Sequence, residues 1–279
     1  MVELTVGMAT YDDFDGVYFT LQALRLYQDT ENVELLVVDN FGCEATKDFV
    51  EQWAGGRYVL APEIQGTGAP RDRVVHEAEG DAVLCCDSHV LFAPGVIGRL
   101  KAFYRDNPDC DDLLQGPLLY DDTNNLTTHF DPAWGAQMWG KWALDSRGLT
   151  PDSEPFEIPM QGLGAFSCRR RSWLGFNPRF RGFGGEEGYI HEKYRQAGRR
   201  TLCLPWFRWL HRFARPGSIP YRNNSEDRLH NYIVGHAELG LDLAPIFGHF
   251  REILPEETVA RIAVAALWDD LDVPAVVPA

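Results

Sequence analysis

Four apolar runs separated by helix-patterned stretches leave a chain like this few folds to choose from. Glu3–Ala9 alternates into a short strand, Val33–Val38 is continuously apolar, Tyr58–Ala61 is a third run and Asp81–Cys86 a fourth. Between the first two, Phe19, Leu21, Leu24, Leu26 and Tyr27 crowd one side of a helical pattern. Glu44–Trp53 and Arg71–Ala78 supply the next two helices, and Pro70 fits the first position of the last of these. Strands buried on both faces read as continuous apolar runs, and strand–helix alternation with short links predicts a parallel, doubly wound α/β sheet. Cys85 and Cys86 are adjacent in the fourth run, so they are expected to face opposite sides as small core residues.

After about residue 107 the pattern changes. Leu113–Tyr120 reads as one more strand, Asp121–Pro155 as a tryptophan-rich loop (Trp134, Trp139, Trp142), and Phe156–Met160 and Gly164–Cys168 as short strands. Glu187–Ala197 is helical, and Thr201–Phe207 is a strand leading toward His211. Pro216–Asn224 reads as a loop, Ser225–Trp268 as helical, and the tail Val273–Ala279 as disordered. The expected organisation is therefore 1–107, 108–215 and a C-terminal helical extension, 216–279.

Chemistry concentrates at the end of the fourth run, in Asp87-Ser88-His89. Open α/β sheets bind ligands beyond the carboxyl ends of their strands. Residues i and i+2 of an extended chain point the same way, so one carboxylate and one imidazole face a common point, a pair suited to a divalent cation. A plain turn is the competing reading. His211 is a third candidate ligand. Gly184-Gly185-Glu186-Glu187 puts two carboxylates in the first turn of a helix, where the dipole favours them even without chemistry. Arg71 and Arg73 open a helix after a glycine-bearing loop, a natural diphosphate site or merely surface charge.

The formal net charge of −15 argues against wholesale nucleic-acid coating. It is uneven, however: Ala165–Arg222 holds thirteen Lys/Arg against three acids. That segment implies either a local anionic ligand or charge complementarity within the protein. The six cysteines show neither zinc spacing nor a disulfide framework, and no apolar run is long enough for a membrane anchor, so a cytoplasmic protein is expected.

Together these pieces resemble the metal-dependent glycosyltransferases of the GT-A fold. The likeness is greatest to the polypeptide N-acetylgalactosaminyltransferases and the hydroxyproline/Skp1-type N-acetylglucosaminyltransferases. Asp87-Ser88-His89, Gly184-Gly185-Glu186 and His211 match their Asp-x-His, Gly-Gly-Glu and late histidine in the same order. The first half also resembles family-2 glycosyltransferases, through Ala9-Thr10-Tyr11-Asp12, Asp39 and Ala69-Pro70-Arg71.

The resemblance implies a Rossmann-like mixed sheet flanked by helices, a nucleotide-sugar half (1–107) and an acceptor-binding, catalytic half (108–215). It implies that Thr10, Tyr11, Asp12 and Asp39 hold the nucleoside, uridine, and that Arg71, supplemented by Arg212, lies near the diphosphate. Asp87, His89 and His211 would hold Mn²⁺ or Mg²⁺. Glu187 stands where the galactosaminyltransferases carry Asn and galactosyltransferase-like inverting enzymes carry Asp: in an inverting reaction it would be the base, and in a retaining one no base is required and Glu186 would mainly orient substrates. The Asp-x-His likeness tilts toward retention. A protein or glycan hydroxyl is the favoured acceptor, with a hydroxylated base of phage DNA as the alternative. A silent sugar-binding protein and a metallophosphoesterase are the readings from other classes, the latter weakened because the chain contains no Asn-His pair.

Overall fold

In the computed structural model, which describes residues 2–213 and 221–268, the four apolar runs form a parallel core. Strands β1 (Leu4–Thr10), β2 (Val33–Asp39), β3 (Arg57–Leu60) and β4 (Ala82–Asp87) lie in the order β4-β1-β2-β3, all parallel. Helices α1 (Phe14–Tyr27), α2 (Glu44–Asp48, continuing as a π-helical turn over Phe49–Ala54) and α3 (Gly68–Glu77) connect them. One face of the sheet packs Leu4, Val6, Met8 and Cys86 against Val17, Leu21 and Leu24 of α1. The other packs Leu36, Val38, Val83 and Cys85 against Val74 and Val75 of α3. The two cysteines thus face opposite layers, as the pleat requires.

Beyond β4 come β5 (Val90–Phe92), α4 (Val96–Asp106), β6 (Leu113–Gln115), β7 (Leu118–Leu119), β8 (Leu126–Thr127), β9 (His129–Gly135) and β10 (Met138–Ala143). They are followed by β11 (Phe156–Glu157), β12 (Ala165–Arg169), α5 (Glu186–Gln196), β13 (Thr201–Cys203) and β14 (Trp209–His211). The main sheet is mixed and eight-stranded, β11-β13-β6-β12-β4-β1-β2-β3, with β12 antiparallel between β4 and β6. A smaller sheet, β5-β14-β7-β8, stands beyond the end of β4, and β9–β10 is a separate hairpin. No helix among the described residues is long and apolar enough to cross a membrane.

Several expectations change. Leu113–Tyr120 is two strands in two sheets, because the chain turns at Gly116-Pro117. Gly116 is buried against backbone: a Cβ there would lie 1.9 Å from the Phe207 carbonyl oxygen, while its own carbonyl accepts from Gln161 Nε2 and Trp209 Nε1. Gly116→Ala is expected to cost about 1–3 kcal/mol, because backbone cannot give way as a side-chain tip can; an unchanged urea midpoint would refute this. Of the expected strand Thr201–Phe207, only Thr201–Cys203 (β13) is extended, in the main sheet; β14 begins two residues beyond Phe207, in the smaller one. The stretch 121–155 is not a loop but carries the β9–β10 hairpin. Helix α3 begins at Gly68, so Pro70 is its third residue; this costs no hydrogen bond, since the first four N–H groups of a helix lack intrahelical partners. In α1, Phe19, Leu26 and Tyr27 face solvent, because Val17, Leu21 and Leu24 already occupy the inward stripe.

The C-terminal segment forms α6 (Ser225–Leu239), α7 (Ala244–Phe250) and α8 (Glu256–Trp268). Leu229, Ile233, Phe250 and Ile262 join the same apolar layer as Ile190 and Tyr194 of α5. Asn231 of α6 accepts from Arg181 N and donates to the carbonyls of Arg181 and Gly184, bracing the loop that precedes α5. Of the predicted 216–224 loop, residues 216–220 lie outside the described residues, as does the 273–279 tail.

Candidate functional site

Pairing of β14 with β5 sets His211 opposite Val90, and so brings it beside Asp87 and His89. Asp87 is the last residue of β4, whereas Ser88-His89 is a turn into β5 and not a continued strand. The side chains converge all the same. His89 Nε2 lies 3.1 Å from His211 Nε2, which lies 3.3 Å from Asp87 Oδ2, and all three ligand atoms fall within 4.8 Å of one another. Two imidazole nitrogens and a carboxylate oxygen directed at one point are a donor set that fits Mn²⁺ or Mg²⁺-like divalent cations, imidazole favouring the former.

Arg71 holds the other carboxylate oxygen. Its NH2 lies 2.7 Å from Asp87 Oδ1, and NH1 donates to the Thr67 carbonyl. Burial alone would raise the Asp87 pKa, but the Arg71 guanidinium, aided by the His211 hydrogen bond, holds it well below the usual carboxylate range. Oδ2 thus faces the histidines as a permanent anion.

A cleft of about 370 Å³ opens in front of this cluster. Thr10, Tyr11, Arg71, Asp87 and His89 line it, together with Asn40, which the sequence did not single out. Thr10 Oγ1 is buried on that wall with no hydrogen-bond partner among the described residues. Asp12 instead turns outward at φ 48°, exposed and off the wall. Asp39 is fully buried: its carboxylate caps the amides of Phe41, Gly42 and Cys43 and accepts from Tyr58 Oη. It therefore shapes the 40–43 loop beside the cleft.

The far wall is the loop Arg181-Gly182-Phe183. Gly184 and Gly185 have φ of 107° and 99°, conformations that favour glycine, and they turn the chain sharply into α5. Glu186 is buried and bound by Thr67 Oγ1 and Gly184 N, locking this loop to the Gly66–Thr67 loop. Glu187 is only half-buried. Burial, and then the charge of Glu186, push its carboxyl up to about 7. The two acids differ in kind: Glu186 ties two loops together, whereas Glu187 is half-buried with a raised pKa.

Asp13 is the residue sequence reasoning missed. It caps α1 by accepting from Gly16 N, and its Oδ2 lies 2.7 Å from His89 Nδ1. The available signal was a capping-type residue between a strand end and a helix, which reads as an ordinary turn.

The basic segment is consumed internally. Each of its twelve described Lys/Arg has a partner: Arg171 pairs with Asp111, Arg200 with Asp112, Arg181 and Arg222 with Asp227, and Lys193 with Glu238. Arg195 pairs with Glu192 and Arg212 with Asp13, while Arg169, Arg170, Arg179, Arg199 and Arg208 cap backbone carbonyls. Complementarity within the protein is thus the reading the structure bears out. The hairpin tryptophans are half-buried: Trp134 stacks on His249 at 4.1 Å between ring centres, and Trp142 lies against Phe130.

The family model of glycosyl transferase family 2 matches residues 5–173. Known folds agree with it. GalNAc-T7, solved with UDP, GalNAc and Mn²⁺, superposes with a TM-score of 0.71 at 16% identity, over 97% of this chain and 57% of that one. TarS of S. aureus with UDP-GlcNAc gives 0.59 at 17% identity, over 96% and 80%. The mannosyltransferase PcManGT of Pyrobaculum calidifontis with GDP-Man and Mn²⁺ gives 0.57 at 16% identity, over 98% and 76%. The chain thus spans little more than half the length of GalNAc-T7. Among curated proteins, none matches its sequence. The architecture is that of GT-A enzymes, a mixed sheet flanked by helices. The chain belongs to glycosyl transferase family 2.

Proposed function

We propose that this protein is a metal-dependent glycosyltransferase that moves a sugar from a UDP-sugar to an acceptor hydroxyl. The observation that carries this reading is the convergence of Asp87, His89 and His211 on one point beside the cleft. UDP in two of the three related structures supports uridine. Thr10 and Tyr11 line the nucleoside end, with the unpartnered Thr10 hydroxyl available to the base. Asp39 and Asp12 act through the loops they shape. Arg71, assisted by Arg212, faces the diphosphate.

The chemistry a divalent cation supplies when held by Asp87, His89 and His211 is Lewis-acid stabilisation of the departing nucleoside diphosphate. Glu186 keeps the loop before α5 in place, and Glu187 takes the proton of the acceptor hydroxyl. A base-assisted direct displacement inverts the anomeric centre. The Asp-x-His resemblance implied retention; what favours inversion is a second carboxylate, Glu187, in the first turn of α5, shortly after the Arg181-Gly182-Phe183 loop that walls the cleft. The acceptor is a protein or glycan hydroxyl, because each described cation of the basic segment has a partner within the chain, which leaves no free stripe of cations for DNA among the described residues.

The test is turnover of UDP- and GDP-sugars with and without Mn²⁺, following nucleotide release and the product anomer by NMR. Mn²⁺-stimulated release from a UDP-sugar is expected. Binding of every donor without release would leave a sugar-binding protein, and hydrolysis of simple phosphodiesters would favour a phosphoesterase; either result overturns the proposal.

A further inference from the structure

Asp13 reaches His89 through the ring nitrogen that does not face His211. Its Oδ2 lies 2.7 Å from His89 Nδ1 and accepts from Ser88 Oγ at 2.8 Å; its Oδ1 accepts from Gly16 N at 3.3 Å and Arg212 NH2 at 3.2 Å. All of these neighbours are donors, and an ionised carboxylate is acceptor-only. The proton of a neutral His89 therefore sits on Nδ1, and the Nε2 lone pair points toward His211 and Asp87. His211 has no such support: its Nδ1 is buried with no hydrogen-bond partner among the described residues. The two imidazoles are thus unequal: His89 is fixed in tautomer and orientation through Nδ1, whereas the polar contacts of His211, to Asp87 and His89, are made through Nε2.

Gly16 makes room for this arrangement. A Cβ there would lie 2.2 Å from Asp13 Oδ2. The carboxylate cannot swing away without giving up the donors that bind it.

We infer that Asp13 is a positioning residue for metal binding, fixing His89 as an Nε2 ligand, and that Gly16 provides its clearance. This rests on the reading of Asp87, His89 and His211 as a cation site. Asn is the sharp substitution. It caps a helix as well as Asp does, so the start of α1 is kept. Its amide nitrogen, however, must confront either the His89 N–H or the donors Gly16 N and Arg212, so one side always loses an acceptor.

The experiment is Mn²⁺ titration of the metal-free protein by EPR, with thermal melts on the same samples. Asp13→Asn is expected to raise the Kd for Mn²⁺ roughly 10–100-fold, the usual consequence of removing an outer partner of a ligand histidine, with the metal-free protein still melting cooperatively but at a lower temperature, because one buried donor loses its acceptor. Gly16→Ala, which keeps the carboxylate but displaces it, is expected to weaken binding in the same direction. Wild-type affinity in both variants would overturn the inference about Asp13. A wild-type protein that binds no Mn²⁺ would overturn the cation site itself, and this inference with it.

Discussion

Alanine at Asp87 is expected to lower Mn²⁺-stimulated sugar-nucleotide turnover by at least about 10²–10³-fold, the scale on which losing one stabiliser of developing charge is felt. It should also lower stability by about 3 kcal/mol, toward the lower end for breaking a buried ion pair. The second effect follows from Arg71. That guanidinium is 8% exposed, and its NH2 is paired with Asp87 Oδ1. Removing the carboxylate leaves a buried cation whose one remaining hydrogen-bond partner among the described residues is the Thr67 carbonyl, with Glu186 and Glu187 as more distant charges. His211→Ala separates the two effects, because it deletes a ligand without touching Arg71. It should lose turnover and keep a urea midpoint near that of the native protein. Native turnover in the Asp87 variant would sink the site assignment, and an undiminished urea midpoint would show that Arg71 finds another partner.

The parts of the molecule legible in its sequence are those where one local rule acts alone. Val33–Val38 and Ala82–Cys86 must be buried on both faces, so their sheet and its carboxyl-end cleft follow from patterning. Asp87 and His89 were visible for the same reason, although a turn rather than a straight strand brings them together. The β9–β10 hairpin was hidden because its connection is Ala136-Gln137, with Ala136 at φ 52°, where a hairpin signal would carry Asn-Gly or Gly. The split at Gly116-Pro117 was hidden because its cause, the backbone at Phe207, lies ninety-one residues away in sequence.

Asp39 and Asp13 show the same limit from the side of function. Both look like loop carboxylates, and only tertiary structure distinguishes their work. Asp39 turns inward to cap three amides, while Asp13 turns toward His89. The basic segment is the converse case. Its charge excess suggested an anionic ligand, but charge counts do not reveal that Asp111, Asp112, Asp227 and Glu238 come to meet it. The C-terminal helices carried no motif at all, yet through Asn231 and Asp227 they hold the loop that carries Gly184 and Gly185 in front of Glu186 and Glu187.

Glu187→Gln is expected to reduce turnover by about 10²–10⁴-fold, the usual contribution of a positioned base, while making the metal-free protein more stable above pH 7. The carboxyl is raised to about 7 by burial and by Glu186, so the folded state binds a proton that the unfolded chain, with an ordinary glutamate, releases near pH 4.5. Between those values the native protein holds more protons than the unfolded one, and its stability falls as pH rises. Glutamine removes this penalty. The variant should therefore melt above wild type at pH 8, and the gap should narrow below pH 7 and close near pH 4. Catalysis runs the opposite way, because a protonated Glu187 accepts nothing. Wild-type turnover is expected to fall as pH drops through about 7, well above the ordinary carboxylate range. A variant that keeps turnover, with a product retaining the donor's anomeric configuration, would remove Glu187 as base and return the reaction to the retaining course. A variant that loses turnover without gaining stability at pH 8 would show that the Glu186–Glu187 repulsion is relieved in the native protein by other means.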